Sequence, residues 1–250
     1  MISLQHKKIL ITGASSGIGR ATAVLFSGLG AELILTARSA EKLNETRALL
    51  TSPDHHRIIT ADLSSQAEIE SMVAEMPAID GLVHACGKVL PVPVKFIRDK
   101  QLQDVFSVNY FSAVHTVAEL LKHKKLNTHA SVAFISSVST LHAYFGGGPY
   151  ISSKAALEGY AKVLALELVP KKIRVNVLQP ALVNTAIFES TIDAAINTAE
   201  MDKLIAQYPL GIGQPQDVAQ ALAYFISDAS KWVTGTCLKM DGGLTLGFNQ

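Results

Sequence analysis

Short apolar runs alternate with amphipathic stretches from one end of the chain to the other. The runs fall at 8–12, 32–36, 57–61, 81–85, 130–136, 173–178 and 236–239. They are rich in Ile, Val and Leu with little polar alternation, the pattern of strands buried on both faces. Between them, helical patterns lie near 18–29, 40–50, 67–75, 102–122, 150–168 and 215–227. Ser65 and Glu68 read as a capping box, and Pro215 suits a first helical turn. The alternation predicts an α/β fold, a doubly wound parallel sheet with helices on both faces. Nothing in the pattern divides the 250 residues, so a single domain over 1–250 is expected. One irregular stretch, 180–213, follows the sixth run and has helical character around 193–207. Its length suits a substrate loop.

The first run passes from Ile9-Leu10-Ile11 into Thr12-Gly13-Ala14-Ser15-Ser16-Gly17-Ile18-Gly19, and Arg20-Ala21-Thr22-Ala23 opens a helix. Glycines permit a tight turn and let a pyrophosphate approach the backbone. The helix N-terminus then offers unpaired N–H groups and a partial positive charge. The spacing is GxxxGxG rather than GxGxxG, and its place on the first strand-to-helix turn points to a dinucleotide. NAD-binding units place an acid about 20 residues on, against the ribose 2′-hydroxyl. Here the second run ends Thr36-Ala37-Arg38-Ser39, with no acid. Arg38 suits a 2′-phosphate, which favours NADP(H) over NAD. The alternative is a solvated arginine before a helix. Ser39 either joins the phosphate site or caps that helix.

Composition narrows the partners. The chain is 48% hydrophobic and 17% charged, with net charge +1. That fits a buried core, and no global field recruits nucleic acid or an anionic membrane. The basic groups His123-Lys124-Lys125 and Lys171-Lys172 read as solvated ends of elements. Cys86 and Cys237 belong to no CxxC and read as reduced core thiols. No segment approaches the roughly 20 apolar residues of a membrane span, and the N-terminus lacks a signal-peptide pattern. A cytoplasmic setting is expected. No His/Cys/Asp cluster has metal-ligand spacing, so no metal is expected.

Of six tyrosines, Tyr150 alone has a lysine four residues on, in YISSK. Helical spacing puts Tyr150 and Lys154 on one face. A neighbouring ammonium favours the phenolate, which suits proton exchange with an alcohol or carbonyl oxygen. Surface helices also carry such pairs, so the pair needs its context.

That context is TGASSGIG, Asn109 in VNYFSA, Ser137 in ISSVS, YISSK, the RVN–x3–P run ending at Pro180, and GTCLKMDGG from Gly235. With these motifs in this order over essentially its full length, the chain resembles the classical short-chain dehydrogenases/reductases, and among them the 3-oxoacyl-[acyl-carrier-protein] reductases. The resemblance implies a seven-stranded parallel Rossmann sheet and a homotetramer or dimer. The helices near 102–122 and 150–168 would supply much of its interface, unless their apolar positions serve burial alone. It implies Tyr150 as general acid/base, with Lys154 lowering its pKa and holding the nicotinamide ribose. Ser137 would orient the substrate oxygen, and Asn109 would hold a water that connects Lys154 to solvent. The implied cofactor contacts are Gly13, Ser15, Ser16, Gly17, Ile18, Gly19, Arg38, Asp62, Leu63, Gly87, Pro180, Val183 and Thr185. Asp62 would meet the adenine amine, or else is a polar residue at a helix entrance. Thr185 would bind the nicotinamide amide or the pyrophosphate.

Two motifs depart from the family. NNAG becomes His84-Ala85-Cys86-Gly87, and PG becomes Pro180-Ala181. His84 is either a new functional group or a buried structural histidine. The implied reaction is reversible hydride transfer between NADP(H) and a carbonyl or secondary alcohol. Ser139, Phe145 and Phe188 join Ser137 as substrate contacts. Leu141, Tyr144 and Ile187 make the pocket largely apolar, with His142 and Asn184 as polar contacts. Gly146, Gly147 and Gly148 would leave room beside Tyr150. A 3-oxoacyl thioester on an acidic carrier protein, met by Lys124-Lys125 and Lys171-Lys172, is one substrate reading. A free ketone, sugar or steroid-like alcohol is another, and a non-catalytic NADP-binding scaffold is the third.

Overall fold

The computed structural model describes residues 2–185 and 203–247. Seven strands form one parallel sheet: β1 (Lys8–Thr12), β2 (Glu32–Ala37), β3 (Arg57–Thr60), β4 (Ile79–His84), β5 (Leu126–Ile135), β6 (Arg174–Pro180) and β7 (Cys237–Met240). Their spatial order is β3-β2-β1-β4-β5-β6-β7, and every neighbouring pair is parallel. Among the described residues, the sheet is covered by α1 (Gly17–Gly28), α2 (Ala40–Ala48), α3 (Gln66–Glu75), α4 (Asp99–Phe106), α5 (Ser112–Lys122), α6 (Gly148–Glu167) and α7 (Pro215–Ile226).

Alternate strand residues feed two separate cores. Leu10, Ile34, Leu82, Val132 and Val175 face Val73 of α3, Val117 and Leu120 of α5, and Leu157 and Leu164 of α6. Ile9, Ile11, Leu33, Leu35 and Val83 face Phe26 of α1, Leu43 of α2, and Leu222 and Phe225 of α7. A strand between two such layers has no solvent face. That explains the continuous apolar runs.

Three details differ from the sequence reading. The 102–122 pattern is not one helix: a π-turn, Ser107–Phe111, separates α4 from α5. Ser112 Oγ bonds back to Val108 O at 2.6 Å beside it. Secondly, β5 starts four residues earlier than its apolar run, because Leu126 pairs with Ile79 before the register shifts. Polar Asn127 and Thr128 and the positive φ of His129 (65°) mask this start. Thirdly, the capping box is half formed. Ser65 Oγ accepts from Glu68 N, but the Glu68 carboxylate accepts from Asp62 N at 2.8 Å, not from Ser65. Pro215 opens α7 as expected.

The 180–213 segment is described at both ends. Val183 and Gly213 form a bridge, so the ends are joined at the sheet. Ile187, Phe188 and most of the 193–207 helical pattern lie outside the described residues. Among the described residues, no helix is long and apolar enough to cross a membrane.

Candidate active site

Because the strands are parallel, their C-terminal ends share one edge, where ligands bind in open α/β sheets. A cavity of about 570 Å³ opens there, a size suited to a small-molecule site. Its wall combines Ile18 after β1, Ala85–Gly87 after β4, Ser137–Ser139 after β5, Tyr150 and Lys154 of α6, and Pro180, Val183 and Thr185 after β6.

The β1–α1 turn fits a dinucleotide. Gly13 has φ 65°, and a Cβ there would meet Ala85 O at 3.0 Å. At Gly19 a Cβ would stand 2.2 Å from Gly13 O, so no side chain fits. Ser16 is the N-cap of α1 but makes no side-chain cap bond, which leaves first-turn N–H groups for an anion. Arg20 braces the turn from behind, donating to Ser15 O at 2.7 Å and pairing with Glu45 at 2.9 Å. Across the turn, Thr185 Cγ2 lies 3.4 Å from a Cβ built on Gly17. A Cβ at Gly87 would come within 3.7 Å of Lys154 Nζ, so this glycine keeps the floor low beside the lysine. These small residues and free amides match a pyrophosphate and ribose.

The adenine end is less committed. Arg38 is exposed at the end of β2, and its charge helps hold Asp62 low, after the bond from Ser64 N. Asp62 Oδ1 accepts from both Ser64 N and Ser64 Oγ. Leu63 is buried in the core, so only its backbone is left to face a ligand. Ser39 accepts from Lys42 N and caps α2.

Around the reacting groups, hydrogen bonds define each orientation. Ser137 Oγ accepts from Ser139 N at 3.2 Å and from Ser139 Oγ at 2.9 Å. Its own proton is therefore free to point at Tyr150, whose phenol Ser137 helps to pull down. Ser139 is buried, braces Ser137 and also lines the cavity. Burial pushes the Tyr150 phenol up, and the Ser137 bond pulls it down. This differs from the sequence reading, which gave the lowering to Lys154. The Lys154 ammonium lies 5.8 Å from the Tyr150 ring centroid, and it donates to Ile135 O at 2.7 Å. Burial lowers Lys154 to about 8, opposed by Cys86 and Glu158. Burial also pushes the Cys86 thiol up.

Asn109 sits in the π-turn, fully buried. Its Oδ1 accepts from Lys88 N at 2.7 Å, and its Nδ2 donates to Lys88 O at 3.0 Å and Ser153 Oγ at 2.9 Å. Ser153 donates onward to Tyr150 O. The asparagine side chain thus ties the loop after β4 to the helix of Tyr150. Sequence reasoning missed Ser153, because a serine inside YISSK carries no separate signal.

His84 is structural. Thr12 Oγ1 accepts from Ala85 N and lies 3.1 Å from His84 Nδ1. His84 Nε2 lies 2.9 Å from Ser112 Oγ, whose proton goes to Val108 O. This network assigns the Nε2–H tautomer. Burial, then the Lys154 charge, lowers His84 to about 3. Ala181 replaces the family glycine without adopting a positive φ, and its N–H donates to Met240 O at 2.9 Å.

The substrate side is apolar. Phe145 is 87% exposed at the rim, beside Tyr144, Val89, Pro91 and Leu204, with His142 and Gln207 as polar groups. Gly147 leaves no spare room: a Cβ would stand 2.6 Å from Ile151 Cδ1. Asn184 bonds Gly213 O through its backbone and does not line the cavity.

The chain is similar to known proteins over nearly its whole length. Residues 13–245 match the family described as enoyl-(acyl carrier protein) reductase. The chain is 30% identical to the 3-oxoacyl-[acyl-carrier-protein] reductase FabG of Rickettsia felis, over 98% of this chain and 100% of that protein. It is 32% identical to the glucose 1-dehydrogenase of Gluconobacter oxydans, over 96% and 92%. A solved short-chain dehydrogenase/reductase of Brucella melitensis, described as glucose/ribitol dehydrogenase, superposes with TM-score 0.90 at 29% identity, covering 97% of this chain and 98% of that one.

Proposed function

The chain belongs to the short-chain dehydrogenase/reductase family, and on that basis we propose that it is an NADP(H)-dependent carbonyl reductase. The observation that carries this reading is the convergence of Ser137, Tyr150 and Lys154 on one cavity beside the glycine turn. The bound nicotinamide supplies the hydride. Tyr150 gives its proton to the carbonyl oxygen, and Ser137 donates a hydrogen bond to the charge developing there. Lys154 holds a positive charge beside the phenol and holds the ribose. Asn109 and Ser153 keep α6 in register with the loop after β4. Arg38, with no acid beside it on β2, favours a 2′-phosphate.

For the substrate, a 3-oxoacyl thioester is the leading reading, supported by the apolar wall and by similarity to 3-oxoacyl reductases. Similarity to a glucose dehydrogenase supports a free ketone or alcohol as the second. The geometry removes one argument for a carrier protein. Lys124-Lys125 precede β5 and Lys171-Lys172 precede β6, so both pairs lie at the edge opposite the cavity. A carrier would instead meet Lys88, Lys95, Arg98 and Lys100, between β4 and α5. The assembly we favour is a cytoplasmic homotetramer. Val163 and Leu166 of α6 and Phe111 of the π-turn, all exposed, support it; light scattering on the purified protein checks it.

The test is the initial rate of NADPH and NADH oxidation with a short 3-oxoacyl thioester and with free ketones. Turnover with NADPH over NADH is expected, and Arg38→Ala should narrow that preference. Preference for NADH overturns the cofactor assignment. NADPH binding without reduction of any carbonyl favours the scaffold reading.

A further inference from the structure

Tyr150, Lys154 and Glu158 stand at i, i+4 and i+8 of α6, along one face. Glu158 Oε1 accepts three hydrogen bonds. They come from Ser136 Oγ at 2.5 Å, Thr140 Oγ1 at 2.9 Å and Gln179 Nε2 at 2.8 Å. Ser136 and Thr140 bracket Ser137 in the chain, and Thr140 Oγ1 also lies 3.0 Å from Ser137 O. Gln179 is buried at the end of β6, immediately before Pro180, and also donates to Thr140 Oγ1 at 3.1 Å. One carboxylate oxygen therefore gathers the end of β5, the turn that presents Ser137, and the end of β6. Hydrogen bonds to a carboxylate are roughly twice as strong as neutral ones, so this point governs how those three segments sit against α6.

We propose that Glu158 is a positioning residue of the reductase site. Its carboxylate fixes the Ser137 hydroxyl against Tyr150 by clamping both sides of the Ser137 turn to α6. The proposal rests on the carbonyl-reductase reading. A second consequence follows from charge. The groups facing Lys154 are Tyr150 and Glu158 on α6, His84 on β4 and Cys86 after it. Burial lowers Lys154, while Cys86 and Glu158 raise it. Glu158 thus supports the ammonium as well as the serine.

Two variants separate these roles. E158A removes all three acceptor contacts, whereas E158Q keeps an oxygen acceptor and drops the charge. The measurements are the NADPH dissociation constant by fluorescence, kcat and KM for a turned-over carbonyl across pH, and hydrogen exchange over 136–141. E158A should lose about 10²-fold in kcat, the scale of a misplaced reacting group. NADPH affinity should hold, and exchange over 136–141 should quicken. E158Q should restore wild-type exchange and most of kcat. Its alkaline limb should move to lower pH, because Lys154 has lost a supporting charge. Should E158A not fold, S136A, which removes the Ser136 contact to the Glu158 carboxylate, decides alone, and wild-type kcat and exchange over 136–141 in it overturn the proposal. Wild-type kcat in E158A overturns it too, as does parallel loss of NADPH affinity and kcat in both variants. If the wild-type protein binds NADPH yet reduces nothing, the reductase reading falls. Exchange in E158A then decides the clamp, and an unchanged rate over 136–141 removes it.

Discussion

A buried phenol is a weaker acid than a free one, so the proton on Tyr150 is available for donation throughout the neutral range. What the site adds is direction. Ser139 occupies the acceptor side of Ser137 Oγ, which turns the serine proton toward Tyr150 and the space beyond it. Tyr150→Phe removes the donor and keeps the ring. It should lower kcat by about 10²–10⁴-fold, the range for a general acid, with NADPH affinity unchanged by fluorescence titration. Comparable turnover in this variant would remove Tyr150 from the chemistry. Lys154 sets the other pH limit. Its value of about 8 means the ammonium is complete below that pH and lost above it. For carbonyl reduction, kcat/KM should therefore fall as pH rises through about 8, since this ratio reports the free enzyme. A profile flat on either side of that pH would show that the charge on Lys154 is not needed.

The elements divide into those the chain announces and those it conceals. The alternation of apolar runs and helical patterns announced all seven strands, because burial on both faces demands such runs wherever a strand lies. The glycine turn was legible too, because its spacing reflects the close backbone approach at Gly13 and Gly19. The break between α4 and α5 was concealed. Beside it lie the Ser112 bond to Val108 O and the His84 contact to Ser112, and His84 and Ser112 are separated by 28 residues. Gln179 gave no signal either, since a buried polar residue is recognised only by its partners on other elements. Glu158 gave no signal in the sequence, because its contacts to Ser136 and Thr140 exist only in space. The glycine turn provides a test at this scale. Gly19→Ala places a methyl against the Gly13 carbonyl, and backbone cannot step aside as a flexible side chain can. The turn must open, so dinucleotide binding should be lost and the melting temperature should drop. Wild-type NADPH affinity in this variant would mean that the turn tolerates a side chain.

At the scale of the whole molecule, His84 couples folding to pH. It joins β1, β4 and the start of α5 through two hydroxyls, and it does so as a neutral ring. A proton on Nδ1 would break the bond from Thr12 and place a cation in the field of Lys154. The folded chain therefore takes up this proton only near pH 3, whereas the unfolded chain takes it up near 6.5. Between those values the unfolded state binds more protons, so stability rises with pH across the window. The contribution is complete above 6.5 and is lost as pH falls toward 3. At about 1.4 kcal/mol per unit, the loss is on the order of a few kcal/mol, a large share of a typical folding free energy of about 5–15 kcal/mol. Carboxylates also act in acid. Asp62, Asp228 and Asp241 are held below their ordinary value of 3.8, and their contribution is lost only as pH falls past that value. The span from 6.5 down to about 4 thus carries the signature of His84. In urea titrations across this span, wild-type stability should fall steadily with falling pH. His84→Asn has no proton to gain, so its slope should be shallower whatever its absolute stability. A slope equal to wild type would place the acid sensitivity elsewhere and leave His84 as a packing residue alone.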